Sequence, residues 1–237
     1  RLDNVETSAI RELFKLLGKP GIISFAGGFP DSAMFDVDGI TQSSQKALQE
    51  NAGLALQYGA TEGFGPLREQ LAAFMATKGA KDVAPEQLIV TTGSQQALDL
   101  LGKCMVSPGD KVIVEGPTFL ATIQCFRLYG AEVISAPVDG NGVIVEALEK
   151  LIAEHQPKLV YLIPTFGNPS GATLSLERRK RVLELAVKYQ TLVVEDDPYG
   201  DLYFDAPPPA SLLALSPEVP GSREWLAHCG SLSKVLS

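Results

Sequence analysis

Four short stretches of the sequence carry polar residues that could do chemistry. A helix that opens at Ser94 and Gln95, after a glycine turn, would offer free backbone N–H groups to an anion. Asn168 follows an apolar run and could place its amide where ligands bind in open α/β sheets. The stretches are TTGSQQALDL (91–100), PTFGNPSG (164–171), VVEDDPYG (193–200) and GSLSK (230–234).

The other two stretches carry charge. Three consecutive acids in VVEDDPYG would repel one another if all were buried, so at least one should face a cation or solvent. Lys234 follows a predicted strand and stands beside Ser231 and Ser233. Each stretch also has a plain structural interpretation: a capped helix start, an Asn-Pro turn, a solvated acidic turn or an exposed lysine. The chemistry therefore depends on whether the fold brings the stretches together.

Apolar runs that are typical of buried strands precede most of these stretches. They are continuously apolar, as strands covered on both faces should be, and they alternate with segments whose apolar residues recur at helical spacing. This pattern predicts a parallel sheet with helices on both faces. The predicted strands span 88–92, 111–116, 132–137, 159–164, 191–196 and 225–230, and the predicted helices span 66–79, 94–106, 118–130, 145–155 and 176–189.

Two further segments have other patterns. Residues 1–17 form an amphipathic helical pattern followed by a Gly/Pro-rich stretch, which predicts an arm that packs away from the sheet. The Pro-rich residues 205–222 predict an ordered surface loop between the fifth and sixth strands, although a linker between domains is the alternative.

Composition narrows the function classes. The chain has 237 residues, of which 28 are acidic and 20 basic, for a net charge of -8. Such a charge disfavours nucleic acid and anionic membranes as partners, and the sequence contains no apolar run of membrane-spanning length, so the cytoplasm is predicted. Cys104, Cys125 and Cys229 lack metal-ligand spacing and are predicted to be buried, reduced thiols, with no metal site.

Taken in order, the motifs resemble those of the fold-type I enzymes that use pyridoxal 5′-phosphate (PLP). They are most similar to class I/II aminotransferases of the 2-aminoadipate and kynurenine branch. The resemblance covers nearly the whole chain. Its motifs are SFAGGFPD, LQYGATEGFGPLREQLA, TTGSQQALDL, EGPTFLATIQCF, NPSG, EDDPYGDLYF and GSLSK.

The resemblance implies an α/β fold with a three-layer α/β/α large domain around a mostly parallel sheet. Residues 1–35 would be an N-terminal arm of a small domain, and residues 36–237 the PLP-binding large domain. It also implies that the C-terminal small domain, and the arginine that grips the substrate carboxylate, lie outside this sequence.

The resemblance implies roles at the cofactor ring for five residues, of which Lys234, Asp196 and Tyr199 would be catalytic. Lys234 would supply the amine that holds PLP covalently and later carries a proton at the substrate Cα. Asp196 would pair with the pyridinium nitrogen. Tyr199 and Asn168 would donate hydrogen bonds to the phenolic oxygen of PLP, and Phe119 would stack on its ring.

The resemblance also implies phosphate and substrate contacts. The PLP phosphate would lie against the helix start and nearby hydroxyls, and the residues concerned are Ser94, Gln95, Ser231 and Ser233. Tyr58 would reach the phosphate bound by a neighbouring subunit, which implies a homodimer with shared active sites. Gly27, Gly28 and Asn168 would lie against the substrate carboxylate.

The implied activity is the transfer of an amino group between an L-amino acid and a 2-oxo acid, as part of amino acid metabolism. Two alternatives stay open at this stage. The same set of cofactor-binding residues also serves PLP-dependent lyases and decarboxylases. Aminotransferase-like domains also occur as effector-sensing parts of transcription regulators.

Overall fold

A six-stranded, mostly parallel sheet forms the centre of the fold. The computed structural model describes Ile23, Gly28 and residues 30–236. The strand order is β3-β2-β1-β4-β5-β6, and only the β2–β3 pair is antiparallel. The strands are β1 Lys111–Gly116, β2 Glu132–Asp139, β3 Gly142–Val143, β4 Leu159–Leu162, β5 Leu192–Asp197 and β6 Leu226–Gly230.

Helices connect the strands and flank the sheet. They are α1 Val37–Ala55, α2 Gly65–Thr77, α3 Ser94–Met105, α4 Leu120–Leu128, α5 Val145–His155, α6 Leu176–Tyr189 and α7 Leu212–Leu215. Short 3₁₀ segments at Ser32–Met34, Pro85–Gln87, Ser216–Glu218 and Ser222–Trp225 complete the described elements.

The hydrophobic core has two halves, one on each face of the sheet. Successive side chains of a strand point to opposite faces, so Val193 and Val194 of β5 enter different halves. On one face, Val194 packs with residues of α3 and α4. On the other face, Val193 packs with residues of α5, α6 and α7. The predicted three-layer α/β/α arrangement is therefore confirmed.

The predicted strands agree with the structure from β1 onward. The prediction for β1 coincides with the observed strand, and those for β2, β4, β5 and β6 differ by one or two residues at their ends. The strand predicted over 88–92 is wrong, because the backbone N–H of Val90 donates to the carbonyl of Glu62 rather than to a strand. No described strand lies beside this segment, and an isolated extended run cannot form a sheet.

Other expectations have mixed outcomes. The helices predicted over 145–155 and 176–189 coincide with α5 and α6. The Pro-rich segment is ordered, but it contains α7, whose Leu212 is fully buried, so it is only partly a surface loop. Cys104 is exposed, so the expectation of three buried thiols is wrong at that position. The helix predicted over 1–17 lies outside the described residues.

The chain divides into two compact units. One comprises residues 1–58 with 236–237 and contains α1. The other comprises residues 59–235 and contains all six described strands. The predicted domain boundary between residues 35 and 36 stays a prediction. Within the described part of the chain, the helices all lack the length or the apolar character that crossing a membrane requires.

Glu115 is a buried carboxyl group near the end of β1. One of its oxygens accepts a hydrogen bond from the backbone N–H of Ile163 at 2.8 Å. Burial nevertheless raises the pKa of Glu115 from 4.5 to about 7, against the lowering effect of that hydrogen bond. The folded protein therefore keeps a proton on Glu115 at pH values where the unfolded chain releases it.

This proton makes a stability difference that depends on pH. As the pH rises from 4.5 through 7, Glu115 ionises in the unfolded chain before it ionises in the folded protein. The free energy of unfolding therefore falls by up to about 3 kcal/mol. Glu115→Gln cannot ionise and should escape this loss. Urea unfolding of both proteins between pH 4 and 8 measures the difference, with Glu132→Gln, an exposed carboxyl on β2, as the control. A difference in unfolding free energy between the unaltered protein and Glu115→Gln that stays constant with pH would contradict the raised pKa of Glu115.

Candidate active site

Five of the residues singled out by sequence lie at or beyond the carboxyl ends of strands in the sheet. Phe119 follows β1, Asn168 follows β4, Asp196 and Tyr199 end or follow β5, and Lys234 follows β6. These four strands are parallel, so their carboxyl ends share an edge. The chain continues from β1 to β2 on one side and returns to β4 on the other, which is the switch point where open α/β sheets bind ligands.

Asp196 has one satisfied and one unsatisfied oxygen. The hydroxyl of Tyr161 on β4 donates to Oδ2 at 2.5 Å. Oδ1 is buried and has no hydrogen-bond partner among the described residues. Burial raises the pKa of Asp196, while the Tyr161 hydrogen bond lowers it. A buried carboxylate oxygen without a donor is costly, so Oδ1 is suited to a ligand that brings a cationic N–H group.

The neighbouring acids have other partners. Glu195 lies on the opposite face of β5, where it accepts hydrogen bonds from the backbone N–H groups of Leu212 at 2.7 Å and Leu213 at 3.1 Å. It also contacts Nδ1 of His228 at 2.8 Å. Asp197 accepts from the backbone N–H of Gly200 at 3.0 Å and so stabilises the turn after β5.

The Glu195–His228 contact has the character of an ion pair. Burial alone would favour the neutral forms, but the charge of His228 and its hydrogen bond lower the pKa of Glu195. In the same way, burial opposes a charged imidazole, whereas the Glu195 carboxylate raises the pKa of His228. Glu195 is thereby committed to the α6 and α7 face of the sheet, which leaves Asp196 as the acid on the α3 and α4 face.

Asn168 lies within hydrogen-bond reach of Tyr199. Its Nδ2 is 3.5 Å from the Tyr199 hydroxyl oxygen, and both side chains are half-buried. The tight turn that presents Asn168 is closed by a bond from the Gly171 N–H to the carbonyl of Gly167. Gly171 has a φ of 70°, a left-handed conformation that favours glycine.

Phe119 and the start of α3 lie on the same face of the sheet as Asp196. Phe119 is half-buried at the N-terminus of α4, where it packs against the core half that contains Tyr161. The N-cap of α3 is Gly93, so the N-cap residue has no side chain that could accept a hydrogen bond from the start of this helix. Ser94 is half-buried and Gln95 is exposed. The uncapped helix start is suited to an anion.

Lys234 and its serine neighbours occupy the turn after β6. The backbone N–H of Ser233 donates to the Ser231 hydroxyl at 3.2 Å, so the structure brings these two residues together. Ser231 is half-buried, whereas Ser233 and Lys234 are exposed.

Three of the predicted site residues belong to the first compact unit. Tyr58 is fully exposed, and Gly28 has a φ of 58°. Gly27 lies outside the described residues.

Sequence reasoning missed Tyr161, the Glu195–His228 pair and the buried Arg179. Each had a local signal, because each polar side chain stands in an otherwise apolar pattern. Tyr161 and His228 interrupt apolar strands, and Arg179 occupies a core-facing position of a helix. Buried polar groups need partners, but the sequence does not say which distant residue supplies them.

Comparison with known proteins agrees with this arrangement. The model of the family "Aminotransferase class I and II" matches residues 22–237. This chain belongs to that family. This protein is 40% identical over 238 residues to "Aromatic-amino-acid aminotransferase 1" of Thermococcus litoralis, with 98% of the chain and 56% of that relative covered. It is 41% identical over 235 residues to "2-aminoadipate transaminase" of Thermus thermophilus, with 98% of the chain and 57% of that protein covered.

Solved structures share the fold of this aminotransferase family member. A kynurenine aminotransferase of Pyrococcus horikoshii, crystallised in complex with PMP, matches with a TM-score of 0.89 at 40% identity. The match covers 98% of this chain and 57% of that structure. The chain thus spans a little more than half the length of the relatives it matches.

Proposed function

We propose that the protein is a PLP-dependent aminotransferase that moves an amino group between an L-amino acid and a 2-oxo acid. The observation that carries this proposal is the buried Oδ1 of Asp196 at the carboxyl edge of the sheet, which has no hydrogen-bond partner in the described part of the chain. A protonated pyridine nitrogen is a cationic N–H donor of the kind that this oxygen lacks. The uncapped start of α3 on the same face suits the phosphate of PLP.

Different residues of the chain would bind different parts of the cofactor. When bound, PLP withdraws electrons from the substrate Cα, so that the bond to its proton can break. Asp196 would keep a negative charge beside the ring nitrogen, and Phe119 would cover one face of the ring. Tyr199 and Asn168 would donate to the phenolic oxygen. The phosphate would be bound by Ser94, Gln95, Ser231 and Ser233.

Lys234 performs the proton chemistry. Its amine would hold the cofactor covalently while no substrate is present. With an amino substrate bound, the free amine would accept the proton that leaves the substrate Cα. Asn168 would lie against the substrate in this proposal, whereas the substrate contacts of Gly27 and Gly28 stay predictions from the sequence.

The proposed activity is tested with a panel of amino donors. The protein expressed from its complete reading frame is given aromatic amino acids, 2-aminoadipate, kynurenine or alanine, with 2-oxoglutarate or pyruvate as acceptor. Without an acceptor, each productive donor should yield its 2-oxo acid for a single turnover at most. With an acceptor, the 2-oxo acid should accumulate over many turnovers. Continued release of carbon dioxide or of an eliminated side chain without any acceptor would instead support a decarboxylase or a lyase.

We further propose that the functional unit is a cytoplasmic homodimer with shared active sites. Tyr58 is compatible with this proposal, because its fully exposed side chain is free to contact a neighbouring subunit. Its phenol would donate to the phosphate of the partner's cofactor. Free cysteines at all three cysteine positions agree with a reducing compartment.

Tyr58→Phe should weaken PLP binding by about tenfold, because a hydrogen bond to a charged phosphate is lost while the ring remains. Equilibrium dialysis of PLP measures the change. Mixing inactive Lys234→Ala protein with an inactive Tyr58→Ala protein should restore activity, since one site of each hybrid dimer would carry neither defect. Hybrid dimers without any activity would contradict the shared site.

A further inference from the structure

Arg179 is a charged side chain in the hydrophobic interior. It lies on α6 at a core-facing position, one helical turn before Val182 and Leu183, and its side chain is 0% exposed. A buried guanidinium is tolerated only when its N–H donors are paired. Burial lowers the pKa of Arg179, and the charge of Glu195 raises it.

The guanidinium of Arg179 closes the base of the loop that carries Asn168. Its Nε donates to the carbonyl of Leu174 at 2.8 Å, and its Nη2 donates to the carbonyl of Pro164 at 2.7 Å. Nη2 also donates to the hydroxyl of Thr165 at 2.9 Å. These contacts hold both ends of the segment 164–174 to α6.

The same side chain connects this loop to β5. Nη1 of Arg179 donates to the carbonyl of Ala210 at 3.3 Å and lies 4.0 Å from Oε1 of Glu195. Glu195 directly precedes Asp196 and accepts from two backbone N–H groups of α7. Arg179 therefore ties together the three segments that present Asn168, Asp196 and the start of α7.

We propose that Arg179 is a positioning residue that acts through Asn168; this inference rests on the proposed function. The Asn168–Tyr199 separation of 3.5 Å is at the outer limit of a hydrogen bond, so a small displacement of the loop breaks it. The guanidinium of Arg179 is fully buried and bonded to backbone carbonyls, so it is assigned no direct role at the cofactor or the substrate. It fixes the place from which Asn168 reaches the phenolic oxygen of PLP.

Arg179→Lys tests this role, because lysine keeps the charge but cannot reproduce the planar set of five donors. In the full-length protein the dissociation constant of PLP should rise about tenfold. In protein that also carries Asn168→Ala, adding Arg179→Lys should change it by less than about twofold. The matched control is Arg178→Lys on the same helix, whose bidentate partner is Asp139 and which should leave PLP affinity unchanged.

A second readout does not involve the cofactor. In PLP-free protein, Arg179→Lys should accelerate hydrogen exchange at the amides of Gly171 and Leu174, which close the loop internally. Arg178→Lys should not. If Arg179→Lys does not fold, Thr165→Val takes its place, because it removes a single contact between Arg179 and the loop. It should raise the dissociation constant of PLP and the exchange rates of the same two amides by about threefold.

The outcomes separate the inference from the proposed function. Equal losses of PLP affinity with and without Asn168→Ala would overturn the positioning role, as would unchanged affinity in Arg179→Lys. Both results leave the proposed aminotransferase standing, provided that the unaltered protein binds PLP. Failure of the unaltered protein to bind PLP would overturn the proposed function and the inference with it.

Discussion

Lys234→Ala should lower the turnover number for transamination by at least about 10⁴-fold. The substitution removes both the covalent attachment of the cofactor and the amine that carries the Cα proton, and no other side chain of the GSLSK turn supplies an amine. Single-turnover kinetics with an amino donor measures the loss. The protein should still bind PLP, because the contacts to the ring and the phosphate remain.

The control for this prediction is Lys103→Ala. Lys103 is an exposed lysine on α3 that pairs with Asp99 one turn away, and its removal should leave turnover within about twofold. A Lys234→Ala protein that retains more than a tenth of the original turnover would contradict the assigned role.

Asp196→Asn should lower turnover by at least about a thousandfold, and Asp197→Asn by less than about tenfold. Both substitutions preserve shape and remove one negative charge. At position 196 the change removes the charge of a carboxylate whose Oδ1 has no donor among the residues that the structure describes, so the ring nitrogen of the proposed cofactor would lose its partner. At position 197 the amide oxygen can still accept from the N–H of Gly200 and hold the turn.

The two variants should be compared at matched saturation with PLP and with circular dichroism to confirm the fold. The absorbance of the bound cofactor should also change its pH dependence in Asp196→Asn and not in Asp197→Asn. Similar losses at both positions would mean that the acids act through the total charge at the end of β5. The assignment to Asp196 would then be wrong.

Which face of the sheet a residue occupies was predictable from the sequence. Continuous apolar runs predicted β1 and β5 closely, because a strand that is covered on both faces needs apolar residues at nearly every position. Strict alternation then separates Glu195 from Asp196. The segment 88–92 has the same composition but is not a strand, because strand formation requires a partner and none lies beside it among the described strands.

The partners of the buried polar groups were not predictable. Tyr161 reaches Asp196 across 35 positions of sequence, and His228 reaches Glu195 across 33. Such pairs depend on the register of neighbouring strands. Arg179 meets the carbonyls of a loop that precedes it and of a segment that follows it. Local pattern shows that these side chains need partners, and only the folded chain supplies the partners' identity.

Chemical trapping tests most directly whether Lys234 carries the cofactor. The full-length protein loaded with PLP is reduced with borohydride, digested and mapped by mass spectrometry. We expect one pyridoxyl-labelled peptide, with the label on Lys234, and no such peptide when an amino donor is added before reduction. A label on any other lysine, or no label in protein that has bound PLP, would contradict it.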